Sequence, residues 1–327
     1  MAADLESYDH IIGGLILGLP TLFYLIAFVP IMEGLRRVAK EYPTFLMMLS
    51  CCLADFYCML QYLAFSLEIL GLNYEVKILQ LLPARYANGL LMVGYQASVN
   101  HYVLLAINRC CAVLLAKKFA AMFTRRNCIV GCLVTWVIAE GYNLFIYTRY
   151  ADDAYFKYDA ANFGLVAVNI TVYVLEGPLY VENFANSAVL LGSFPPYIFL
   201  IFAIMFVPSV KKSVFPPTAA NSGSSSVSSD LHWRLSLVCF INSGIFSFTM
   251  IYINYFAGIS SKWGVLAFNV SLVHLSATNG LLLVLFSRRL RQEIKSVLGF
   301  KHQATKVKAV HTKGSSKPGA SAGRGRF

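Results

Sequence analysis

Seven runs of apolar residues dominate this chain, each long enough to cross the roughly 30 Å hydrocarbon core of a bilayer as a helix of about 20 residues. They lie near 11–32, 45–70, 86–115, 128–148, 184–207, 233–257 and 263–286. A stretch such as Phe199-Leu-Ile-Phe-Ala-Ile-Met-Phe-Val207 is apolar without interruption. A transmembrane barrel needs alternating segments of about ten residues instead. The composition agrees, with 57% of the 327 residues hydrophobic and only 13% charged, where soluble domains run near 25% charged. A secreted enzyme, a disulfide mini-domain and a disordered regulator are excluded. Pro195-Pro196 in the fifth run is tolerable in a bundle, where neighbouring helices re-satisfy the freed carbonyls.

Loop charge sets the orientation. With the amino terminus outside, the inner loops hold Arg36, Arg37, Lys40, Lys117, Lys118, Arg125, Arg126, Lys211, Lys212 and Arg234, and the basic tail follows on the same side. The outer segments then hold Asp4, Glu6, Asp9, Asp152, Asp153 and Asp159 and few basic residues. Positive charge stays in the cytoplasm, so N-out, C-in is favoured. The acidic head lacks the basic n-region of a cleavable signal, so the first span is expected to remain as an anchor. The reading is an all-α membrane protein, a seven-transmembrane helix bundle with a short amphipathic juxtamembrane helix. Its segments are an extracellular 1–10, the bundle 11–286, the juxtamembrane helix 287–299 and a disordered basic tail 300–327.

Enzymatic chemistry finds no support: Gly-x-Ser-x-Gly, His-Glu-x-x-His and a phosphate-cradling glycine loop are all missing. The eight cysteines fall within the runs or at their inner ends, so a disulfide framework is not expected. Cys128 and Cys132 lie one turn apart without further ligands at zinc-like spacing, which leaves packing as their role and no resident metal or cofactor. His274, within the seventh run, reads as a polar residue bonded inside the bundle.

Ionisable residues inside the runs say more. A central aspartate costs about 2.5–3.5 kcal/mol on insertion scales, so Asp55 must face a polar interior. It is either an interhelical hydrogen-bond acceptor or a cation or proton site linked to conformational change. Arg109 ends a long apolar run and either snorkels to the interface or holds the inner helix ends together.

Together these two residues resemble the rhodopsin-like G-protein-coupled receptors, over about residues 11–299. Leu53-Ala54-Asp55 is similar to the second-helix motif in its aspartate, and Asn108-Arg109-Cys110 stands where the family has Asp-Arg-Tyr. Trp136 fits the fourth-helix tryptophan and Pro196 the fifth-helix proline. Asn279-Gly280-Leu281-Leu282-Leu283 stands for Asn-Pro-x-x-Tyr and runs into Phe286-Ser287-Arg288-Arg289-Leu290-Arg291, similar to the family's juxtamembrane helix. That segment also stands on its own pattern, with Leu290, Ile294, Val297 and Leu298 forming one apolar stripe. The departures are equally informative. The first run lacks an asparagine, the sixth reads Cys239-Phe-Ile-Asn-Ser243 in place of Cys-Trp-x-Pro, and the outer third-helix cysteine is missing, with Ala84 near its place. Leu91 occupies the position of the amine receptors' aspartate, which argues against a biogenic-amine ligand. The whole is closer to the divergent nematode serpentine chemoreceptors, the Srg superfamily with its Srx, Srv and Srt groups.

The resemblance implies detection of a small non-amine ligand, heterotrimeric G proteins as output, and residence in the plasma membrane, including sensory cilia. It implies a sodium pocket at Asp55, Ser98 and Ser276, and an activation switch of Asn108, Arg109 and Asn279. With Asn108 replacing aspartate, the restraint on Arg109 weakens and basal activity rises. By depth alone, Tyr95, Gln96, Asn100, Phe194 and Tyr252 are the ligand candidates, between the third, fifth, sixth and seventh helices. The rival reading is a transporter or channel with Asp55 and Glu140 in an ion or proton path, although the paired broken helices of such folds are not evident. In the outer segment 149–183, Asn169-Ile170-Thr171 is a glycosylation sequon, whereas Asn269-Val270-Ser271 lies within a span and is set aside. The serine-rich 221–230 reads as a flexible linker. The tail's positive charge favours anionic membrane lipid and, without aromatic residues or a fold beside it, not nucleic acid.

Overall fold

The computed structural model describes residues 2–71, 84–149, 156–167, 178–207, 235–249 and 261–300. In chain order these form α1 (Ala2–Glu41), α2 (Phe45–Ile69), α3 (Ala84–Leu114), the short α4 (Ala116–Met122) and α5 (Arg125–Arg149). Strands β1 (Phe156–Asp159) and β2 (Gly164–Ala167) precede α6 (Pro178–Phe206), and α7 (Leu235–Thr249), α8 (Lys262–Phe286) and α9 (Arg288–Val297) complete the described chain. Six of these helices are long and apolar enough to span a membrane, and α7 is a shorter apolar helix. The protein is a seven-helix membrane bundle, and its spans coincide with the seven apolar runs. Residues 250–257 of the sixth run lie outside the described residues, as does the serine-rich linker.

The exterior of the bundle is apolar. Leu19, Phe23 and Ile26 on α1, Val134, Val137 and Ile138 on α5, and Phe199, Phe202 and Phe206 on α6 are all exposed. Water would penalise such a surface, whereas hydrocarbon accepts it, and the intrahelical hydrogen bonds leave the backbone satisfied there. Inside, α3 packs against α2, α5 and α6, while α1 packs along α2 and α8. Glycines set how closely α1 approaches its neighbours. A Cβ on Gly18 would sit 2.8 Å from the Ser66 hydroxyl of α2, and one on Gly280 of α8 would sit 2.6 Å from the Phe28 ring.

α1 begins at Ala2, and its 40 residues carry the acidic head and the first span as one continuous helix. In the outer segment between α5 and α6, β1 and β2 pair antiparallel, with Phe156 opposite Ala167 and Asp159 opposite Gly164. One expectation is corrected. His274 does not point into the bundle. It is exposed, bonds the Val270 carbonyl one turn back at 2.8 Å, and meets Tyr24 edge-on at 5.5 Å.

At the basic end, Ser287 terminates α8 and caps α9, its hydroxyl accepting from the Leu290 amide at 3.2 Å. Leu290 is fully buried, and a Cβ on Gly34 of α1 would come within 3.0 Å of both Leu290 and Ile294. The apolar stripe of α9 is thus seated on α1, and Arg289 pairs with Glu41 at 2.9 Å. Arg291 donates to the last carbonyls of α8, those of Val284 and Leu285, and so places positive charge at the negative end of that helix.

Candidate functional site

Side chains one helical turn apart share a face, so Cys51, Asp55, Cys58 and Tyr62 of α2 point the same way, as do Ser98 and Tyr102 of α3. The two faces meet. The Ser98 hydroxyl donates to Asp55 Oδ1 at 2.5 Å, and Asn279 Nδ2 from α8 donates to Asp55 Oδ2 at 3.0 Å. Cys51 Sγ lies 3.9 Å from the same oxygen. Asn279 Oδ1 in turn accepts from Asn242 Nδ2 of α7 at 2.8 Å. Asp55, Asn242 and Asn279 are all buried, so this chain of bonds ties α2, α3, α7 and α8 across an apolar interior where each bond is hard to replace.

Ser98 has a second role. With Ser276 it lines a small cavity, with room for about one water molecule, between the same four helices, together with Cys58, Tyr62, Tyr95, Tyr102 and Phe246. Leu272 and Leu275 complete the apolar side. Ser276 lines the same cavity as Ser98, while the Asp55 oxygens are engaged by Ser98, Asn279 and Cys51.

The expected ligand contacts divide. Tyr95 lines the cavity. Gln96 donates to Asn100 on the same helix at 3.5 Å, and Asn100 donates to the Thr135 carbonyl of α5 at 3.4 Å. Phe194 stacks on Phe240 between α6 and α7 at 5.8 Å. Tyr252 and Asn169 lie outside the described residues. Asn269, whose sequon was set aside, is buried and donates to the Phe163 carbonyl at 2.7 Å. Glu140 is exposed on α5, whereas Asp55 is fully buried.

At the inner end Arg109 is fully buried and donates through Nη2 to the Asn108 side-chain oxygen. Tyr197 and Cys239 stand near it. Among the described residues, Arg109 Nε and Nη1 and Asn108 Nδ2 have no hydrogen-bond partner. Arg109 is therefore not an interface anchor but a buried cation that, among the described residues, is held by its neutral neighbour.

A polar clasp joins α2, α3 and α5 and escaped the sequence reading. Ser50 Oγ accepts from Trp136 Nε1 at 3.0 Å and lies 2.8 Å from His101 Nε2. His101 Nδ1 lies 2.6 Å from the Ala97 carbonyl. A carbonyl only accepts, so Nδ1 carries the proton and Nε2 accepts from Ser50. The signal was present in Ser50, which lies five residues before Asp55, and in Trp136, whose indole N–H needs a partner when buried. Cys58, Tyr62 and Tyr102 were likewise reachable by stepping whole turns from Asp55 and Ser98.

The bundle thus carries a buried aspartate in α2, a buried arginine at the inner end of α3 and, in α8, an asparagine bound to that aspartate. The sequence profile of the serpentine-type 7TM GPCR chemoreceptor family Srv matches residues 15–300, from α1 through α9. The chain belongs to that nematode chemoreceptor family. No curated protein matches it.

Proposed function

We propose that this chemoreceptor binds a small non-amine ligand in the outer half of the bundle and activates heterotrimeric G proteins at its cytoplasmic face, in the plasma membrane of a sensory cell. The observation that carries the reading is the sharing of Ser98 between the cavity and the Asp55 network. A ligand that touches Ser98 touches a bond chain spanning α2, α3, α7 and α8, and so acts differentially on their arrangement. Differential affinity is what shifts a population.

The cavity chemistry supports a neutral ligand. Its described lining residues carry hydroxyls, a thiol and apolar groups, and none is charged. Tyr95 is joined as a contact by Tyr62, Tyr102 and Phe246, whose rings offer stacking surface beside hydroxyl partners. A carboxylate with two serine hydroxyls at hand also suits a small hard cation, so Asp55, Ser98 and Ser276 are the residues that would hold sodium in the resting state. Burying an unpaired guanidinium is costly. Arg109 therefore gains when the inner ends part and a G protein supplies acceptors, while Asn108 restrains it only through a neutral oxygen.

The experiment is second-messenger output in cells expressing the chain with a promiscuous G protein, across volatile and water-soluble metabolites, with Arg109→Ala at matched surface expression. A ligand-dependent signal lost in Arg109→Ala supports the reading. A substrate-driven flux or current that ignores Arg109 would replace it with a transporter.

A further inference from the structure

α8 carries a polar seam on its lipid-facing side. Ser271 and His274 are exposed and Thr278 is half-buried, and their spacing of three and then four residues stacks them on one helix face. Ala267 on the outer side and Leu281 and Leu285 on the inner side are exposed as well and continue the same alternation of four and three. That is the period at which one membrane helix meshes with another, and small residues along it let the backbones come close.

Depth makes the seam costly in lipid. His274 lies midway along α8 (Lys262–Phe286), about 18 Å from either end at about 1.5 Å per residue, and so near the bilayer midplane. A histidine at that depth cannot reach the headgroups, and ionisable residues inside a membrane ordinarily face the bundle interior. Tyr24 of α1 covers His274 only by an edge-on ring contact at 5.5 Å.

The hydrogens of the seam are used within α8. The Ser271 hydroxyl donates to the Ala267 carbonyl at 2.8 Å, and the Thr278 hydroxyl to the His274 carbonyl at 2.6 Å. His274 Nδ1 lies 2.8 Å from the Val270 carbonyl, which only accepts, so Nδ1 carries the proton. The seam therefore has only acceptors left to offer: the remaining lone pairs of two hydroxyls, and Nε2 of the neutral ring, which has no hydrogen-bond partner among the described residues. Hydrocarbon supplies no donor. A second copy supplies none either, because a twofold axis along the membrane normal sets each seam residue against its own counterpart at the same depth, acceptor to acceptor.

We propose that the Ser271–His274–Thr278 face of α8 docks a membrane-spanning helix of another protein, one that carries an amide donor at mid-depth and donates it to His274 Nε2. The seam lies on the outside of the bundle, so the inference does not depend on ligand binding or G-protein coupling.

The test uses the full chain with a fluorescent donor on its carboxy-terminal tail, in phosphatidylcholine vesicles. It is titrated with dye-labelled leucine-rich spanning peptides, dilute enough in lipid to stay monomeric, and energy transfer reads association. One peptide has an all-leucine core, one a single central asparagine, and one the same asparagine at the helix end. The central-asparagine peptide is expected to bind about three- to tenfold more tightly than the all-leucine peptide, the size of one interhelical hydrogen bond in a membrane, and the end version to gain nothing. His274→Leu, an apolar replacement at an exposed position, is expected to remove that gain and leave thermal unfolding unchanged. Ser271→Leu, which fills the seam, is expected to weaken binding of the central-asparagine peptide and carries the test if His274→Leu does not fold. Equal affinities of the central-asparagine and all-leucine peptides for the wild-type chain, or a gain that persists in His274→Leu, would overturn the proposal. Energy transfer between receptor copies that disappears in His274→Leu would assign the face to self-pairing and overturn it as well.

Discussion

Asn279 of α8 donates to the Asp55 carboxylate of α2 at 3.0 Å, and the same side chain accepts from Asn242 of α7 at 2.8 Å. One amide thereby joins three helices, and it can serve the network only while those helices keep their present spacing.

Removing Asn279 strands a buried acceptor on Asp55 and a buried donor on Asn242. Asn279→Ala is expected to lower receptor stability by about 2–6 kcal/mol, from about 1–3 kcal/mol for each stranded group. Asp55→Ala with Asn279→Ala should cost less than the sum of the single variants, because the pair shares one interaction. Thermal unfolding in detergent, followed by loss of monodisperse receptor, reads both effects.

Sodium is expected to raise the unfolding temperature of the wild-type chain relative to choline at equal ionic strength. Asp55→Asn should remove that difference, since the amide fits the space of the carboxylate but carries no charge to hold a cation. A sodium effect of the same size in Asp55→Asn would place the cation elsewhere.

Asn108→Asp puts a carboxylate beside a fully buried guanidinium that has two nitrogens to spare. Stabilising the resting form by about 1–2 kcal/mol reduces the active fraction roughly five- to thirtyfold. Basal second-messenger output at matched surface expression is therefore expected to fall in Asn108→Asp, and an unchanged output would contradict this role for Arg109.

Gly280 faces the Phe28 ring, with only 2.6 Å between a Cβ there and the nearest ring carbon. Gly280→Ala is expected to cost about 1–3 kcal/mol by overpacking. Phe28→Leu should recover part of that loss in the double variant, as thermal unfolding would show.

Ser50→Ala would leave the Trp136 indole N–H without its partner, while the Thr135 hydroxyl stays 3.2 Å from His101 Nε2. The expected cost is about 1–3 kcal/mol for the stranded indole. Trp136→Phe, which removes the donor along with its need for a partner, should be milder in the same unfolding assay.

The spans were readable because hydrocarbon imposes both length and composition: α2 runs from Phe45 to Ile69 against an expected 45–70, and α8 from Lys262 to Phe286 against 263–286. The Asp55–Ser98 bond was readable because the resemblance fixed the depth of both residues. Rotation about a helix axis was not. In a span apolar on every side, depth does not say which neighbour a polar side chain faces, so the bond of Asn100 to the Thr135 carbonyl of α5 was not legible. The hairpin gave still less warning. Its two strands have four residues each, and Phe163 reaches a socket built from α1 and α8, far away in sequence, which periodicity cannot register.

In the proposed mechanism, Arg109 at the inner end of α3 transmits a conformational state to a G protein. Guanine-nucleotide exchange on purified heterotrimeric G proteins by the full chain in lipid nanodiscs, with Arg109→Ala at equal folded amount beside it, tests this. The wild-type chain is expected to accelerate exchange above empty nanodiscs without added ligand, and Arg109→Ala is not. Acceleration that survives unchanged in Arg109→Ala would contradict it.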